Sequence, residues 1–244
     1  MKPLGRKIPG DWRHLERYPL SARPELEQPP DKAEKGLGLP WWWKQHDQGN
    51  EGACVGFGCS AMMSIANHRQ RLLSTGKSVT YRYDARWLYH EAQLVDEWWN
   101  TPPEEGTSVR AGCDILVNRG HRRTQYGVTG PEILASGIST YRWALTSEEI
   151  RMAIWNDLPV AIGINWYSGF DGPYLWGGER WIRIAPTDVV RGGHCVCLYR
   201  MSDRREAFML MNSWGSYYPP TWISYNDMDR LLNEYGEAAV VTDR

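Results

Sequence analysis

Four polar residues spread widely along the chain limit how it can fold, because a thiol acyl-transfer site would need all of them together. Gln48 precedes Cys54 by six residues, across a turn broken by glycine. His194 follows Cys54 by 140 residues, and Asn212 follows it by 158. In such a site a thiol attacks a carbonyl carbon, an imidazole takes the thiol proton, one amide orients the imidazole, and another helps to hold the oxyanion. The spacing therefore predicts a fold that brings distant segments to one cleft.

The sequence around these positions resembles the papain family of cysteine peptidases. The Gln-to-Cys spacing and the run Asn212-Ser213-Trp214-Gly215 match that family, whose His and Asn lie roughly 130–150 residues after the Cys. The resemblance covers residues 39–242 in outline and is specific around the two motifs. It implies an α+β chain with a papain-like two-lobed fold. A helical lobe would pack on an antiparallel, β-barrel-like lobe, with the active-site cleft between them.

The resemblance also implies a role for each of the four residues. Cys54 would be the nucleophile, and His194 would be its general base and later the acid that protonates the leaving amine. Asn212 would orient His194. Gln48, with the backbone N–H of Cys54, would form the oxyanion hole. A helix beginning at Cys54 would favour the thiolate through its dipole.

Two further residues are expected at the substrate. Gly106 would offer its backbone to an extended peptide, and Trp214 would shield the hydrogen bond between the imidazole and the amide from water. Cys195 and Cys197 share one face of a predicted strand; without a CxxC motif or a histidine pair, burial is favoured over metal binding. No cofactor or metal is implied.

The chain also departs from the family pattern. Glu51 stands where the family usually has a disulfide cysteine, Val55 where an aromatic residue follows the nucleophile, and Gly193 where Asp or Asn often precedes the histidine. Residues 216–223 lack the second Trp-Gly of the family. These changes affect the disulfides and the pocket walls. Since the five cysteines are also an odd number, free thiols and a reducing compartment are predicted.

Composition excludes several classes of function. A net charge of −1 gives no indication of a nucleic-acid partner or an anionic membrane surface. No apolar run reaches the roughly 18–20 residues needed to cross a bilayer. Residues 1–10 are basic and broken by proline and glycine, unlike a secretory signal. We therefore expect a cytoplasmic protein, or one incorporated in a protein assembly.

Local patterns divide the chain into three parts. Residues 1–40 are rich in proline and charge and predict an extended N-terminal arm, which would regulate access or dock on an assembly partner rather than join the core. Residues 41–130 predict a helical lobe carrying the nucleophile. Residues 131–244 predict a β-rich lobe carrying the His and Asn, with a boundary turn at residues 127–132.

Individual elements follow from periodicity and capping signals. Helices are predicted from Cys54 to a stop at Gly76, over residues 83–95 and 107–120, and from a capping box at residues 146–149. Strands are predicted over residues 159–164, 192–199, 207–214, 221–225 and 237–241. A hairpin between the second and third of these strands would place Asn212 beside His194.

Aromatic and imidazole side chains leave alternatives open. The chain has 14 tryptophans, including residues 41–43 and 98–99, which either pack in the core or form a binding surface for a peptide or partner. The remaining histidines do not have the sequence spacing of metal ligands. We interpret them as surface groups or as residues that support those of a site from behind; they are His46, His68, His90 and His121.

Three functions are compatible with these observations. The first is a papain-like thiol hydrolase that cleaves peptide bonds. The second uses the same thiol chemistry on a different bond. It would be an isopeptide or cell-wall peptide amidase, or an acyl transferase. Cell-wall amidases of related shape usually lack both Gln48 and the Asn-Ser-Trp-Gly run, which argues against them. The third is a structural assembly protein, of the virus-particle type, that retains the fold.

Overall fold

The structure is a computed structural model that describes residues 2–8, 10, 14–23, 25–40, 43–79, 81–97, 105–125, 133–135 and 137–243. The predicted boundary turn at residues 127–132 lies outside these residues, as do Trp41, Trp42, Trp98 and Trp99. The helices are α1 (His14–Arg17), α2 (Cys54–Thr75), α3 (Ala85–Val95), α4 (Val109–Asn118), α5 (Ser147–Trp155) and α6 (Tyr225–Asn233). The strands are β1 (Glu34–Gly36), β2 (Tyr81–Tyr83), β3 (His121–Gln125), β4 (Ile133–Ala135), β5 (Thr140–Ala144), β6 (Val160–Tyr167), β7 (Tyr174–Trp176), β8 (Glu179–Ile182), β9 (Val190–Ser202), β10 (Ala207–Met211), β11 (Thr221–Ser224) and β12 (Glu237–Asp243).

Helix α2 carries Cys54 as its first residue and packs on the central strand β9. All of its residues from Cys54 to Ala66 are buried. Gly58 allows the close approach, because a Cβ there would lie only 2.6 Å from the Cys195 sulfur. The helix ends at Gly76, whose φ of 68° is the left-handed conformation that glycine adopts without strain. The predicted helix and its stop are confirmed.

The main sheet contains nine of the described strands, in the order β5-β12-β6-β9-β10-β11-β8-β7, with β1 added to β9. Most neighbours are antiparallel, whereas β11 and β8 are parallel. Within the described residues the sheet is open, with β5 and β7 at its ends. The α+β class is confirmed, and the part expected to be an antiparallel, barrel-like lobe is an open sheet with one parallel pair. Strands β2, β3 and β4 form a small second sheet.

The N-terminal segment contributes to the core, contrary to the expectation for residues 1–40. Leu20 and Leu37 are almost fully buried in the main hydrophobic cluster. Strand β1 pairs with β9, with Glu34 opposite Ser202. Although this segment is rich in proline, its few leucines gain free energy by burial. The division of the chain into an arm and two lobes remains a prediction.

The structure also differs from the predicted elements where strand pairing between distant segments outweighs the local sequence pattern. Residues 81–83, partly predicted as helix, form β2 because they pair with β3; α3 then begins after Asp84, whose carboxylate accepts from Trp87 N. Helix α6 was not predicted. The helix start predicted at Thr146 is confirmed, since its hydroxyl accepts from Glu149 N at 3.2 Å. The Glu149 carboxylate accepts from Leu145 N rather than from the Thr146 N–H that a capping box would use. No helix among the described residues has the length and apolar character needed to cross a membrane.

Candidate active site

The Cys54 thiol lies at the N-terminus of α2 and is fully buried. Backbone groups of Cys195, Gly5 and Val55 hydrogen-bond to it. Burial raises the pKa of the thiol to about 11, and the hydrogen bonds lower it by a smaller amount. The thiol is therefore neutral in this conformation, whereas the sequence predicted a thiolate. The hydrogen bonds and the nearby positive charge of Arg6 do not offset the effect of burial on the pKa of the thiol.

His194 and Asn212 meet through the antiparallel pairing of β9 and β10. His194 Nε2 lies 2.9 Å from Asn212 Oδ1, and that oxygen also accepts from Ser213 N at 2.7 Å. Because a carbonyl oxygen can only accept, His194 Nε2 carries the proton and Nδ1 keeps a lone pair. Nδ1 has no hydrogen-bond partner within the described part of the chain. The imidazole thus has a free basic nitrogen and a fixed tautomer.

Two tryptophans surround this imidazole. The Trp166 ring centroid lies 4.6 Å from that of His194, and the Trp214 centroid lies 4.9 Å from it. Both indoles are almost fully buried. Burial lowers the pKa of His194 to about 4, although the hydrogen bond to Asn212 acts in the opposite direction. Trp214 therefore covers the hydrogen-bonded imidazole; its contact with a substrate stays a prediction.

Gln48 is held in place from both ends of its amide. Its Oε1 accepts from the Ser213 hydroxyl at 2.6 Å, and its Nε2 donates to Glu51 O at 2.8 Å. Its backbone N also donates to Ser213 O at 2.8 Å. The side chain is fully buried. These bonds fix the amide beside the turn that leads into α2, with Nε2 directed towards that turn.

The structure brings the four predicted residues into one region. Ser213 links Gln48 to Asn212, because it hydrogen-bonds to both side chains. The backbone of Cys195, next to His194, hydrogen-bonds to the Cys54 sulfur. Sequence reasoning missed Ser213 as a structural link. The motif itself contained the signal, since a hydroxyl directly after Asn212 lies close enough to the site to bond with Gln48.

Part of the predicted N-terminal arm lies over the thiol. Residues 2–7, here called the covering segment, run along the cleft between two backbone partners. On one side Gly5 N donates to Gly193 O at 3.1 Å. On the other side Thr107 N donates to Gly5 O at 2.8 Å, and Lys7 N donates to Thr107 O at 2.9 Å. The segment is hydrogen-bonded like an added strand, in the place where an extended peptide was expected.

Glycines on both sides allow this close passage. A Cβ on Gly5 would lie 1.8 Å from Gly52 O, and a Cβ on Gly106 would lie 2.2 Å from Gly5 O. Gly106 also has a φ of 108°, which side chains disfavour. Gly106 thus contacts the chain's own peptide, and its predicted contact with substrate stays a prediction. Pro3 O lies 3.5 Å from Gln48 Nε2, so the segment also places a carbonyl beside that amide.

Within the described residues, no group of three or more His, Cys, Asp or Glu side chains is placed to hold a metal ion. All five cysteines are buried free thiols, including Cys195 and Cys197. The interpretation of His121 as a surface group is wrong: it is fully buried, 2.8 Å from the Ser60 hydroxyl, and stacked on Tyr83. His68 is also buried.

Comparison with known proteins places the fold. No protein-family model and no curated protein matches the sequence. Xylellain, a cysteine protease from Xylella fastidiosa, is a similar solved structure, with 16% identity, a TM-score of 0.65, and coverage of 99% of this chain and 92% of that one. Procathepsin L2 proteinase from the larval midgut of Tenebrio molitor has 19% identity, a TM-score of 0.60, and coverage of 99% and 78%. Procathepsin B S9 from Trypanosoma congolense has 11% identity, a TM-score of 0.59, and coverage of 100% and 83%. The chain has the fold of papain-like cysteine proteases, as the resemblance implied.

Proposed function

We propose that this chain is a papain-like thiol hydrolase that cleaves peptide bonds at Cys54. The observation that supports this most directly is the buried hydrogen bond between His194 and Asn212. It leaves Nδ1 of the imidazole without a hydrogen-bond partner among the described residues, and so available as a base. His194 lies on the strand whose next residue hydrogen-bonds to the Cys54 sulfur. The fold shared with solved cysteine proteases gives independent support.

In the proposed reaction, Cys54 and His194 act both when the acyl group is transferred to the sulfur and when water releases it. His194 Nδ1 takes the Cys54 proton as the sulfur attacks the substrate carbonyl carbon, forming the S–C bond. The protonated imidazole then gives its proton to the amide nitrogen, and the C–N bond breaks. In the second half Nδ1 takes a proton from water, whose oxygen attacks the thioester. The C–S bond then breaks, the acid product leaves, and the protonated imidazole returns its proton to the sulfur, which restores the thiol.

Two donors are proposed to stabilise the oxyanion. Gln48 Nε2 lies beside the turn into α2, held by Glu51 O and by the Ser213 hydroxyl on its other end. The backbone N–H of Cys54 lies at the helix N-terminus, where such groups have no partner within the helix. Fixed donors of this kind stabilise a developing negative charge without reorganisation.

The proposed enzyme is inactive in the conformation described. The covering segment occupies the cleft, and burial keeps the thiol neutral by raising its pKa to about 11. Displacement of the segment would admit water and peptide together. It would also remove most of the desolvation that holds the thiol and the imidazole in their neutral forms.

The test compares hydrolysis of a fluorogenic peptide library by full-length Gly5→Ala and Gly5→Ala/Cys54→Ala. The added Cβ would meet Gly52 O at 1.8 Å and so displaces the covering segment. We expect turnover by the single variant and loss of turnover, to the limit of detection, when Cys54 is also replaced. Gly5→Ala/Cys113→Ala is the matched control, because Cys113 is an equally buried thiol on α4. Equal turnover with and without Cys54 would refute the proposal.

One observation favours a second candidate, a structural assembly protein that retains the fold. The cleft is filled by the chain itself through several backbone hydrogen bonds, as it would be in a protein that no longer admits substrate. This candidate gains if the opened variant hydrolyses no peptide while Cys54 is alkylated rapidly. Isopeptide cleavage or acyl transfer to an amine would instead give product only with branched peptides or an added amine. A protein partner of residues 1–40 and a cytoplasmic location stay predictions.

A further inference from the structure

The hairpin formed by β7 and β8 projects from one end of the main sheet. Strand β7 is the terminal strand at that end, and all three of its residues are exposed. The turn consists of Gly177 and Gly178, whose φ values of 58° and 80° are typical of a tight two-residue hairpin turn. A Cβ on either glycine would meet nothing within 4 Å, so the turn is surrounded by open space. We call residues 174–182 the edge hairpin.

The projecting part of the edge hairpin carries two large apolar side chains. Leu175 is 67% exposed, and its neighbour Trp176 is 64% exposed. Both side chains lose the free energy that burial of such groups normally provides. Because they lie beside the turn, they form a convex apolar tip rather than a groove. Adjacent exposed apolar groups of this kind indicate contact with another molecule.

The Trp176 indole is held in place although it is exposed. Its ring centroid lies 5.3 Å from that of Trp181, with an angle of 77° between the ring planes. Trp181 packs on Trp222, and these two tryptophans belong to a small hydrophobic cluster that is separate from the main core. Contact with another molecule would therefore cost little side-chain ordering, since the indole is already supported from behind.

Positive charge lies beside the apolar tip. Arg180 lies opposite Leu175 in the hairpin, and Arg183 directly follows β8. Both side chains are exposed, and neither has a carboxylate partner among the residues that the structure describes. The neighbouring carboxylate of Glu179 is already paired with Arg205, at 2.8 Å. Since the whole chain has a net charge of −1, these arginines are a local concentration of positive charge.

We propose that the edge hairpin is a peripheral docking site for an anionic lipid surface. Leu175 and the Trp176 indole would enter the boundary between headgroups and acyl chains, where aromatic side chains favour this position. Arg180 and Arg183 would bind the anionic headgroups around them. The expectation that no anionic membrane is a partner used the net charge of the whole chain, which does not show where the charges lie. This docking does not depend on the proposed peptidase function.

The shape and charge of the hairpin favour lipid over a second copy of the chain. Lipids can part around a convex tip, whereas a protein partner would need a matching cavity. Two-fold pairing of two β7 edges would also place the same arginines of both copies near each other. An anionic lipid surface instead complements both features at once, the apolar tip and the positive charge beside it.

The test measures binding of the full-length protein to vesicles by flotation in a density gradient. Vesicles of equal parts phosphatidylcholine and phosphatidylserine are compared with vesicles of phosphatidylcholine alone. We expect roughly 30-fold stronger binding to the anionic vesicles, because each of the two arginines strengthens binding by about fivefold near such a surface. High salt should remove most of this difference, since it screens the attraction.

Two apolar pairs separate the hairpin from other exposed surfaces. Leu175→Ser/Trp176→Ser should bind the anionic vesicles at least about tenfold more weakly than the wild type, because it removes the groups that would be buried in lipid. The matched control is Leu72→Ser/Leu73→Ser, which removes an adjacent exposed pair on α2. This control should bind as the wild type does. Thermal unfolding of each variant checks that its fold is intact.

Two charge pairs test the electrostatic part without changing the apolar tip. Arg180→Gln/Arg183→Gln should bind the anionic vesicles roughly 30-fold more weakly and should bind the neutral vesicles as the wild type does. Arg71→Gln/Lys77→Gln makes the same change in net charge at exposed positions on and just after α2. It should leave binding to the anionic vesicles nearly unchanged.

Several outcomes would overturn the proposal. One is the absence of binding to anionic vesicles at low salt, and another is an equal loss of binding in the hairpin variants and in their α2 controls. A third concerns a second copy of the chain, and it is measured by sedimentation at several protein concentrations. Dimerisation that is lost in Leu175→Ser/Trp176→Ser, without vesicle binding by the wild type, would assign the edge hairpin to a protein interface instead.

Discussion

At the scale of single residues, the hydrogen bonds that position Gln48 matter to the site as much as the thiol does. Its amide is fixed by the Ser213 hydroxyl on one end and by Glu51 O on the other. Removing the side chain therefore has two effects that must be separated. One is the loss of a donor to the oxyanion, and the other is a buried hydroxyl left without its partner, which costs roughly 1–3 kcal/mol of stability.

Gln48→Ala and Ser213→Ala separate these effects, because both remove the same hydrogen bond and only the first removes the Nε2 donor. In the Gly5→Ala background, we expect Gln48→Ala to reduce kcat by about 10²–10³ and Ser213→Ala to reduce it much less. Both should lower the free energy of unfolding, measured in urea, and Gln48→Ala should lower it more, because it also removes the hydrogen bond from Nε2 to Glu51 O. Equal losses of kcat in the two variants would assign Gln48 a structural role only.

At the scale of elements, the covering segment behaves as a short strand between Thr107 and Gly193. Its place depends on Gly5, whose missing side chain lets the backbone pass close to Gly52 O. Gly10 lies on the same part of the chain, and a Cβ there would meet nothing closer than 3.5 Å. These two glycines thus give a matched pair of alanine substitutions.

Gly5→Ala should speed alkylation of Cys54 by iodoacetamide at pH 7, whereas Gly10→Ala should leave the rate unchanged. The reason is that burial raises the pKa of the covered thiol to about 11, so little thiolate exists at pH 7. We expect an increase of at least about tenfold, since one unit in pKa changes the thiolate fraction by that factor. The rate is followed residue by residue with mass spectrometry, with Cys113 as the internal reference. An unchanged rate in Gly5→Ala would mean that the segment does not protect the thiol.

At the scale of the whole molecule, buried imidazoles make the fold sensitive to acid. Burial lowers the pKa of His121 to about 3 and that of His194 to about 4. In the unfolded chain both titrate near 6.5. As the pH falls below that value, the unfolded chain takes up protons that the folded chain does not, so stability is lost between about pH 6.5 and pH 4.

His121→Gln isolates one of these contributions, because glutamine can keep a hydrogen bond to Ser60 and does not titrate. The wild type should lose more unfolding free energy than this variant between pH 7 and pH 5, by about 2 kcal/mol. Urea unfolding at both pH values measures the difference. Equal losses in the wild type and in His121→Gln would contradict this account.

The sequence predicted correctly those features of the fold that depend on contacts between neighbouring residues. The stop of α2 at Gly76 and the cap at Thr146 each depend on a few neighbouring residues. The hairpin that joins His194 to Asn212 spans only 18 residues. Since a family motif marks both residues, their meeting was predictable; their catalytic roles remain predictions.

What the sequence did not predict depends on contacts between distant segments. Strand β2 was partly assigned to a helix because its pairing with β3 lies outside any local window. Arg6 and Glu237 form a buried ion pair at 2.9 Å although they are 231 residues apart, and neither lies in a recognisable motif. A carboxylate followed by four apolar residues was the available signal for this ion pair, and periodicity alone does not interpret it.

The distance between Arg6 and Glu237 also sets an order of events during translation. At roughly 5–20 residues per second, Arg6 emerges from the ribosome on the order of tens of seconds before the residue that will bind it. Strand β12 lies between β5 and β6, so the buried ion pair that holds Arg6 forms only when this strand has been made and has joined the sheet. The N-terminal segment therefore gains this anchor late in synthesis, although it is the first part of the described chain to be made.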